Sequence, residues 1–189
     1  MIGYAMCGSF CTHAASLKMM ERLAAEYPLL PIFSYNVLHT DTRFGKAEQT
    51  VKRAEEICGR AGVKTITGAE PLGPRDPMDA MVISPCTGNT LAKLAQGITD
   101  TPVTMAAKAH LRTGRPLLIA LATNDALSAN LKNLAVMMEK KNVYFLPMVQ
   151  DDPVAKPYSL VAEFTLLPAA LAAALRGENL RPVFLENKK

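Results

Sequence analysis

A chain of 189 residues with a formal net charge of +4, 49% hydrophobic and 20% charged residues, has the size and balance of a soluble domain with a buried core. No apolar run approaches the ~20 residues of a membrane span, and Lys and Arg are scattered rather than clustered with aromatics, which argues against nucleic acid as a partner. The opening Met1-Ile2-Gly3-Tyr4-Ala5-Met6 lacks the basic flank of a secretory signal, so the expected location is the cytoplasm.

In chain order, residues 2–6 read as a first strand and 12–26 as an amphipathic helix. Residues 30–34 form a second strand, 46–60 a second helix and 63–67 a short third strand. Residues 80–84 (AMVIS) are a continuous apolar run ended by Pro85, the pattern of a strand buried on both faces. A helix begins near Asn89, and another follows Pro102, a residue suited to a first helical turn. Residues 116–122 (PLLIALA) are the next buried strand, 126–140 a helix, 143–147 a last strand and 160–175 a closing helix rich in Ala and Leu. Strands alternating with helices imply one α/β domain over residues 1–189, a single doubly wound parallel sheet with right-handed crossovers.

In such a sheet ligands bind outside the carboxyl ends of the strands, near the switch in strand order. That rule selects residues 7–13, 34–46, 85–90, 123–130 and 148–157. The first of these, Cys7-Gly8-Ser9-Phe10-Cys11-Thr12-His13, has a Gly for close backbone approach and two hydroxyls at a helix start. It has neither GxGxxG nor a P-loop Lys. A phosphate loop and a plain turn with a Ser or Thr cap both fit it. Pro85-Cys86-Thr87-Gly88-Asn89-Thr90 is more specific, since hydroxyl, glycine and amide groups surround one helix N-terminus directly after a buried strand. A phosphate monoester bearing a flat aromatic body, as in FMN, suits that cradle.

The four cysteines, Cys7, Cys11, Cys58 and Cys86, contain no CxxC pair and no matched His pair, so no metal site is expected and free thiols are. A reactive role for one of them stands against a small buried side chain.

The segment from Pro85-Cys86-Thr87-Gly88-Asn89-Thr90 through Leu91-Ala92-Lys93-Leu94-Ala95-Gln96 to Asp100 resembles the Pro-Ala-Ser-Ala-Asn-Thr segment of flavin-dependent cysteine decarboxylases. It is similar also to the matching segment of flavin prenyltransferases, and Gly8-Ser9, Ser34 and the chain length agree with that superfamily. The resemblance implies a Rossmann-like flavoprotein fold and FMN as cofactor, with Gly8, Ser9, Ser34, Thr87, Gly88, Asn89 and Thr90 as its binding residues. Two departures stand out. The catalytic His of the cysteine decarboxylases falls at Pro71, and their Pro-x-Met-Asn motif becomes Leu121-Ala122-Thr123-Asn124, keeping only the Asn. The phosphate-contacting Arg of the prenyltransferases falls at Ala122, so decarboxylation by the superfamily's mechanism is not expected.

Within the superfamily, Ser34-Tyr35-Asn36 with residues 40–46, and the run 98–112, are similar to the B subunits of bacterial dipicolinate synthases. Thr123-Asn124-Asp125 and Gln150-Asp151-Asp152-Pro153 fit the same group. The resemblance implies oxidation of a dihydrodipicolinate-type intermediate to pyridine-2,6-dicarboxylate in the mother cell of a spore-forming bacterium. It implies as partner the A subunit of dipicolinate synthase, a dehydrogenase that brings NADP. A homo-oligomer is expected as well. Two alternatives remain: a non-catalytic subunit that activates its dehydrogenase partner, and another FMN-dependent decarboxylase or prenyltransferase.

A small dicarboxylate substrate needs cations or amides beside the flavin. Arg43 is the first candidate because a planar guanidinium binds a carboxylate bidentately, with Lys46, Lys108 and Arg112 behind it. His39 and His13 lie in ligand-edge loops and are candidate acids or bases, with capping or surface roles as the alternative. Asn124 and Asp125 follow a buried strand, placed either to touch ligand or to cap the next helix.

Overall fold

The structure, a computed structural model, describes residues 1–187. Its elements in chain order are β1 (Ile2–Met6), α1 (His13–Ala24), β2 (Leu29–Phe33), α2 (Tyr35–His39), α3 (Ala47–Cys58), α4 (Ile66–Ala69) and β3 (Ala80–Cys86). There follow α5 (Gly88–Gln96), α6 (Pro102–Leu111), β4 (Leu117–Thr123), α7 (Leu131–Glu139), β5 (Val143–Phe145), β6 (Met148–Val149), β7 (Leu160–Ala162) and α8 (Leu167–Leu175). One seven-stranded sheet runs β2-β1-β3-β4-β7-β6, with β5 paired to β4 as well. The strand pairs are parallel except β4–β7 and β6–β7. Among the described residues no helix is long and apolar enough to cross a membrane.

Both faces of the sheet are covered, which is why its strands read as unbroken apolar runs. Alternate residues serve opposite cores. Met81, Ile83, Leu117, Ile119 and Leu121 pack on the side of α4 to α7. Ile2, Tyr4, Met6, Val82, Leu118 and Ala120 pack against α1, α3 and α8.

Four sequence expectations are corrected. Residues 63–67 form no strand beyond one bridge from Val63 to Ile32. The Thr65 hydroxyl accepts from Gly68 N at 3.0 Å and so starts α4 instead. A short helix, α2, stands where only a loop was expected, capped by Ser34, whose hydroxyl accepts from Val37 N. The helix expected over 126–140 starts only at Leu131, because Asp125, Ser128 and Asn130 spend their hydrogen bonds on a turn. The run 160–175 is not one helix. Leu160–Ala162 is an antiparallel strand, and α8 starts at Leu167 with Pro168 in its first turn.

Candidate functional site

The chain leaves β1 for β2 on one side and later returns to place β3 on the other. The switch point therefore lies between the ends of β1 and β3, where ligands gather in such sheets. A buried polar knot fixes the two ends behind it. The Tyr4 hydroxyl donates to the Ser16 carbonyl at 2.8 Å and lies 3.1 Å from Ser84 Oγ. Ser16 Oγ donates to the Ser84 carbonyl at 2.6 Å. Burial, partly offset by the Ser16 and Ser84 hydrogen bonds, raises the Tyr4 hydroxyl to about 12, so it stays a neutral donor.

In front of this knot the two loops are tied directly. Cys7 N donates to the Pro85 carbonyl at 3.1 Å, and the Thr90 hydroxyl donates to the Cys7 sulfur at 3.3 Å. His13 Nε2 lies 2.8 Å from the Cys7 carbonyl, which fixes that nitrogen as the protonated one in the neutral ring. Burial lowers the His13 pKa below its ordinary value, against the opposing pull of that carbonyl. His13 thus serves as a brace for the first loop.

Between the loops opens a cavity of about 220 Å³. Gly8, Ser9 and Thr12 form one wall, Thr87 and Asn124 a second, and Asp151 and Lys156 a third, with Ala122 and Val161 as apolar floor. Ser9 opens a single 3-10 turn, Phe10–Thr12, that precedes α1. The Thr12 hydroxyl and amide both donate to the Ser9 carbonyl, at 2.8 and 3.0 Å, while the side chain of Ser9, a residue of the cavity lining, makes no capping hydrogen bond. A Cβ on Gly8 would stand 3.1 Å from Asn36 Cβ, so the α2 side chain closes on the loop from behind.

Thr87 caps α5, its hydroxyl accepting from Thr90 N at 3.2 Å. Asn89 is exposed in the first turn. Gly88 is spoken for by the protein itself, because a Cβ there would lie 2.6 Å from Thr123 Oγ1 and 2.8 Å from Asp125 Oδ1. The Thr123 hydroxyl donates to Asp125 Oδ1 at 2.6 Å and Asn130 Nδ2 donates to Asp125 Oδ2 at 2.8 Å. Asp125 therefore sets a carboxylate against the positive end of α5.

Lys156 Nζ pairs with Asp151 Oδ2 at 2.8 Å, both side chains being partly exposed. Partial burial pushes the Asp151 carboxyl up, and hydrogen bonds from Lys156 and Ser159, with the Lys156 charge, reverse this and hold it below its ordinary value. Neither residue was expected from the sequence as a ligand contact, although Asp151 belongs to the run 150–153 that carries the resemblance. The loop 148–157 was singled out there, but the approach of Lys156 depends on the β6–β7 pairing that the Leu- and Ala-rich run concealed.

Gly8, Ser9, Thr87 and Asn124 thus share one cavity, with Gly88, Asn89 and Thr90 at its α5 side. Ser34 lies behind it as the α2 cap. Arg43 stacks over the Phe44 ring, 4.9 Å from its centroid, and is not among the residues lining the cavity. His39 stacks on Tyr35 and lines a separate groove with Lys52 and Lys64. Pro71 sits in a turn beside α6, where Gly73 packs on the Ala109 carbonyl. Cys7 and Cys86 are buried; burial, partly offset by the Thr90 hydrogen bond, raises the Cys7 thiol to about 11, and burial with the neighbouring Cys7 raises Cys86 well above its ordinary value. Neither is a ready nucleophile. Among the described residues no group of three His, Cys, Asp or Glu side chains could hold a metal ion.

Residues 10–164 match the family described as Flavoprotein. The chain is 45% identical over 187 residues to the B subunit of dipicolinate synthase from Bacillus subtilis, covering 98% of this chain and 94% of that protein. The crystal structure of the corresponding B subunit from Bacillus halodurans superposes with a TM-score of 0.90 at 42% identity, covering 98% of this chain and 96% of that one. The FMN-dependent cysteine decarboxylase SpaF shares the fold alone, with a TM-score of 0.67 at 22% identity over 93% and 94% of the two chains. The mostly parallel sheet, the site at its switch point and these full-length likenesses agree: the chain belongs to the flavoprotein family, among the relatives of the dipicolinate synthase B subunits.

Proposed function

We propose that this chain, acting as one α/β unit, is an FMN-binding subunit of a dipicolinate-forming oxidoreductase. The observation that carries the reading is the 45% identity over 98% of the chain to a dipicolinate synthase B subunit. The cavity fits the head of the cofactor. The Ser9 hydroxyl and the start of α5 offer donors to a phosphate, and Gly8 lets the first loop pack closely on Asn36 behind it. At about 220 Å³ it is smaller than the ~300–1,000 Å³ of pockets that enclose whole drug-sized ligands. It would hold the phosphate end, with the ring system across the open side near Asn124. Because Asp125 already faces the α5 N-terminus, the phosphate would lean toward Ser9. When bound, FMN supplies a two-electron acceptor for an oxidation that makes an aromatic ring.

The chain's own residues bind and orient. Lys156 is the one cation lining the cavity among the described residues, so it takes the role of carboxylate partner that the sequence reading gave to Arg43. A substrate carboxylate would share or displace Asp151, and the Asn124 amide would offer a neutral donor to the second carboxylate. No residue of the cavity is a free His, so proton removal would fall to Asp151 or to solvent. The dehydrogenase partner, the A subunit of dipicolinate synthase, would bring NADP. A homo-oligomer in the cytoplasm of the sporulating mother cell completes the reading.

The test is reconstitution of pyridine-2,6-dicarboxylate formation from the dehydrogenase partner, with and without this chain and added FMN. The expected result is product formation that needs both the chain and FMN, and a purified protein that turns yellow. Full activity with flavin-free chain would favour a non-catalytic, activating role instead.

A further inference from the structure

At the other end of α5 from this cavity lies a groove of about 340 Å³ between α5, α6 and α7. It shares no lining residue with the cavity described above. Leu94, Leu111 and Met137 form its floor, and Ile98 stands at the lip, 45% exposed. Three cations surround this apolar floor. Lys108 and Arg112 are four residues apart on one face of α6, and Lys140 reaches in from the end of α7. Lys140 Nζ is anchored across the groove by donating to the Leu94 carbonyl at 3.2 Å. No carboxylate lines the groove, and among the described residues none of the three cations pairs with one.

The neighbouring cation Lys93 shows what is missing. It is neutralised by Asp100, which it contacts through both carboxylate oxygens at 2.8 Å. The groove cations have no such partner, and they repel one another around a floor that water solvates poorly. An apolar depression of this size with a few convergent charged groups of one sign is the usual build of a small-ligand site.

We infer that this groove is a second binding site, for a small carboxylate with a flat apolar body. The body lies on Leu94, Leu111 and Met137 under Ile98. The carboxylate is held by the Arg112 guanidinium and the Lys108 ammonium. Size and charge both point to this occupant. The apolar floor offers a surface for a flat ring, and a carboxylate offsets part of the three positive charges at the rim. The site does not depend on flavin binding.

The probe is naphthoate, with naphthamide as its neutral counterpart, titrated against methyl-labelled methionine protein by NMR. The Met137 methyl signal is assigned by comparison with Met137→Leu. The expected result is a saturable shift of that signal with naphthoate and none with naphthamide. Lys108→Gln with Arg112→Gln should weaken naphthoate by at least about tenfold, the loss of charge-assisted hydrogen bonds. Lys18→Gln with Lys64→Gln, neither of which lines the groove, should leave the affinity unchanged, and thermal melts of each variant check the fold. No shift of Met137, an equal shift with naphthamide, or undiminished affinity in the Lys108/Arg112 variant would each overturn the assignment. FMN titration of the same samples reads the cofactor site separately, so failure at one site is not mistaken for failure at the other.

Discussion

Asp125 places a carboxylate oxygen 2.8 Å from the point where a Cβ on Gly88 would stand. The Thr123 hydroxyl and Asn130 amide nitrogen crowd the same point at 2.6 Å. Helix α5 thus begins flush against the turn that follows β4, with a negative group at its positive end. Gly88→Ala must push that three-residue cluster aside, and the expected cost is about 1–3 kcal/mol, as for other overpacked sites. Urea unfolding measures it. A loss below about 0.5 kcal/mol would mean the turn yields freely.

For the cofactor, Ser9→Ala combined with Asn89→Ala removes two proposed donors to the phosphate. Hydrogen bonds to a charged group are worth about 1.5–3 kcal/mol each, so FMN affinity should fall at least tenfold. Fluorescence titration of FMN reads this directly, and unchanged affinity removes the phosphate from this cavity.

Lys156→Gln and Arg43→Lys form a contrasting pair. Loss of the Lys156 charge should raise the substrate KM by about tenfold or more, a larger change than its effect on FMN affinity. Arg43→Lys should alter neither, because its guanidinium rests on Phe44 outside the cavity lining. Steady-state kinetics with the dehydrogenase partner decide it. The reverse pattern would return the carboxylate to Arg43.

Thiol chemistry separates the four free cysteines by exposure. Cys11 is exposed, whereas Cys7 and Cys86 are buried with thiols raised by that burial. A thiol reagent added to native protein should therefore modify Cys11 first, with Cys7 and Cys86 protected until unfolding. Cys86→Ala should keep activity within a few-fold. Collapse of activity with flavin still bound would assign that thiol a chemical role.

Acid should weaken the fold before carboxylates are reached. Burial lowers the pKa of His13 and of His110, so each is neutral when folded at a pH where the unfolded ring already binds a proton. Each donates through Nε2 to a backbone carbonyl, and among the described residues His110 Nδ1 has no hydrogen-bond partner to receive a second proton's N–H. Their contribution is complete above the ordinary value of 6.5 and is lost as pH falls below it toward the lowered values. Glu55, Asp79 and Asp151, whose pKa values are also lowered, lose theirs only below their ordinary 4.5 and 3.8. Denaturation midpoints across this range should decline from neutrality downward, and His13→Gln should flatten the upper part of that decline.

Much of this architecture was legible because both faces of the sheet are buried. Runs such as residues 80–83 and 117–122 are apolar without interruption, and short polar loops punctuate them. The loops at the strand ends followed from a topological rule rather than from any motif. What the sequence hid were the places where one side chain overrides local pattern. Thr65 turns the strand-like stretch 63–67 into a helix start, and Ser34 starts α2 where a loop was expected. Leu160 and Ala162 look helical beside the Ala-rich run that follows, yet they pair with β4 and β6. Losing that strand meant losing Lys156, since a long-range pairing alone brings its loop to the cavity.

The shared edge of β4 has a mechanical consequence. Its first half is bonded to β5 through Leu117, Leu118 and Ile119, and its end to β7 through Ala122 and Thr123. The strand that delivers Asn124 therefore also carries, by backbone hydrogen bonds, the hairpin that delivers Lys156. Cavity width is set by a ladder and not by the grip of side chains. Extra residues inserted at the exposed tip around Val154 would cost little free energy as loop length, but would shift Lys156 relative to Asp151. One residue inserted between Tyr158 and Leu160 would instead slide β7 by a step and exchange the faces on which Leu160, Val161 and Ala162 sit. Relatives should accordingly vary in the span of this hairpin's tip while keeping its stem in phase, and designed changes of specificity have the same freedom and the same limit.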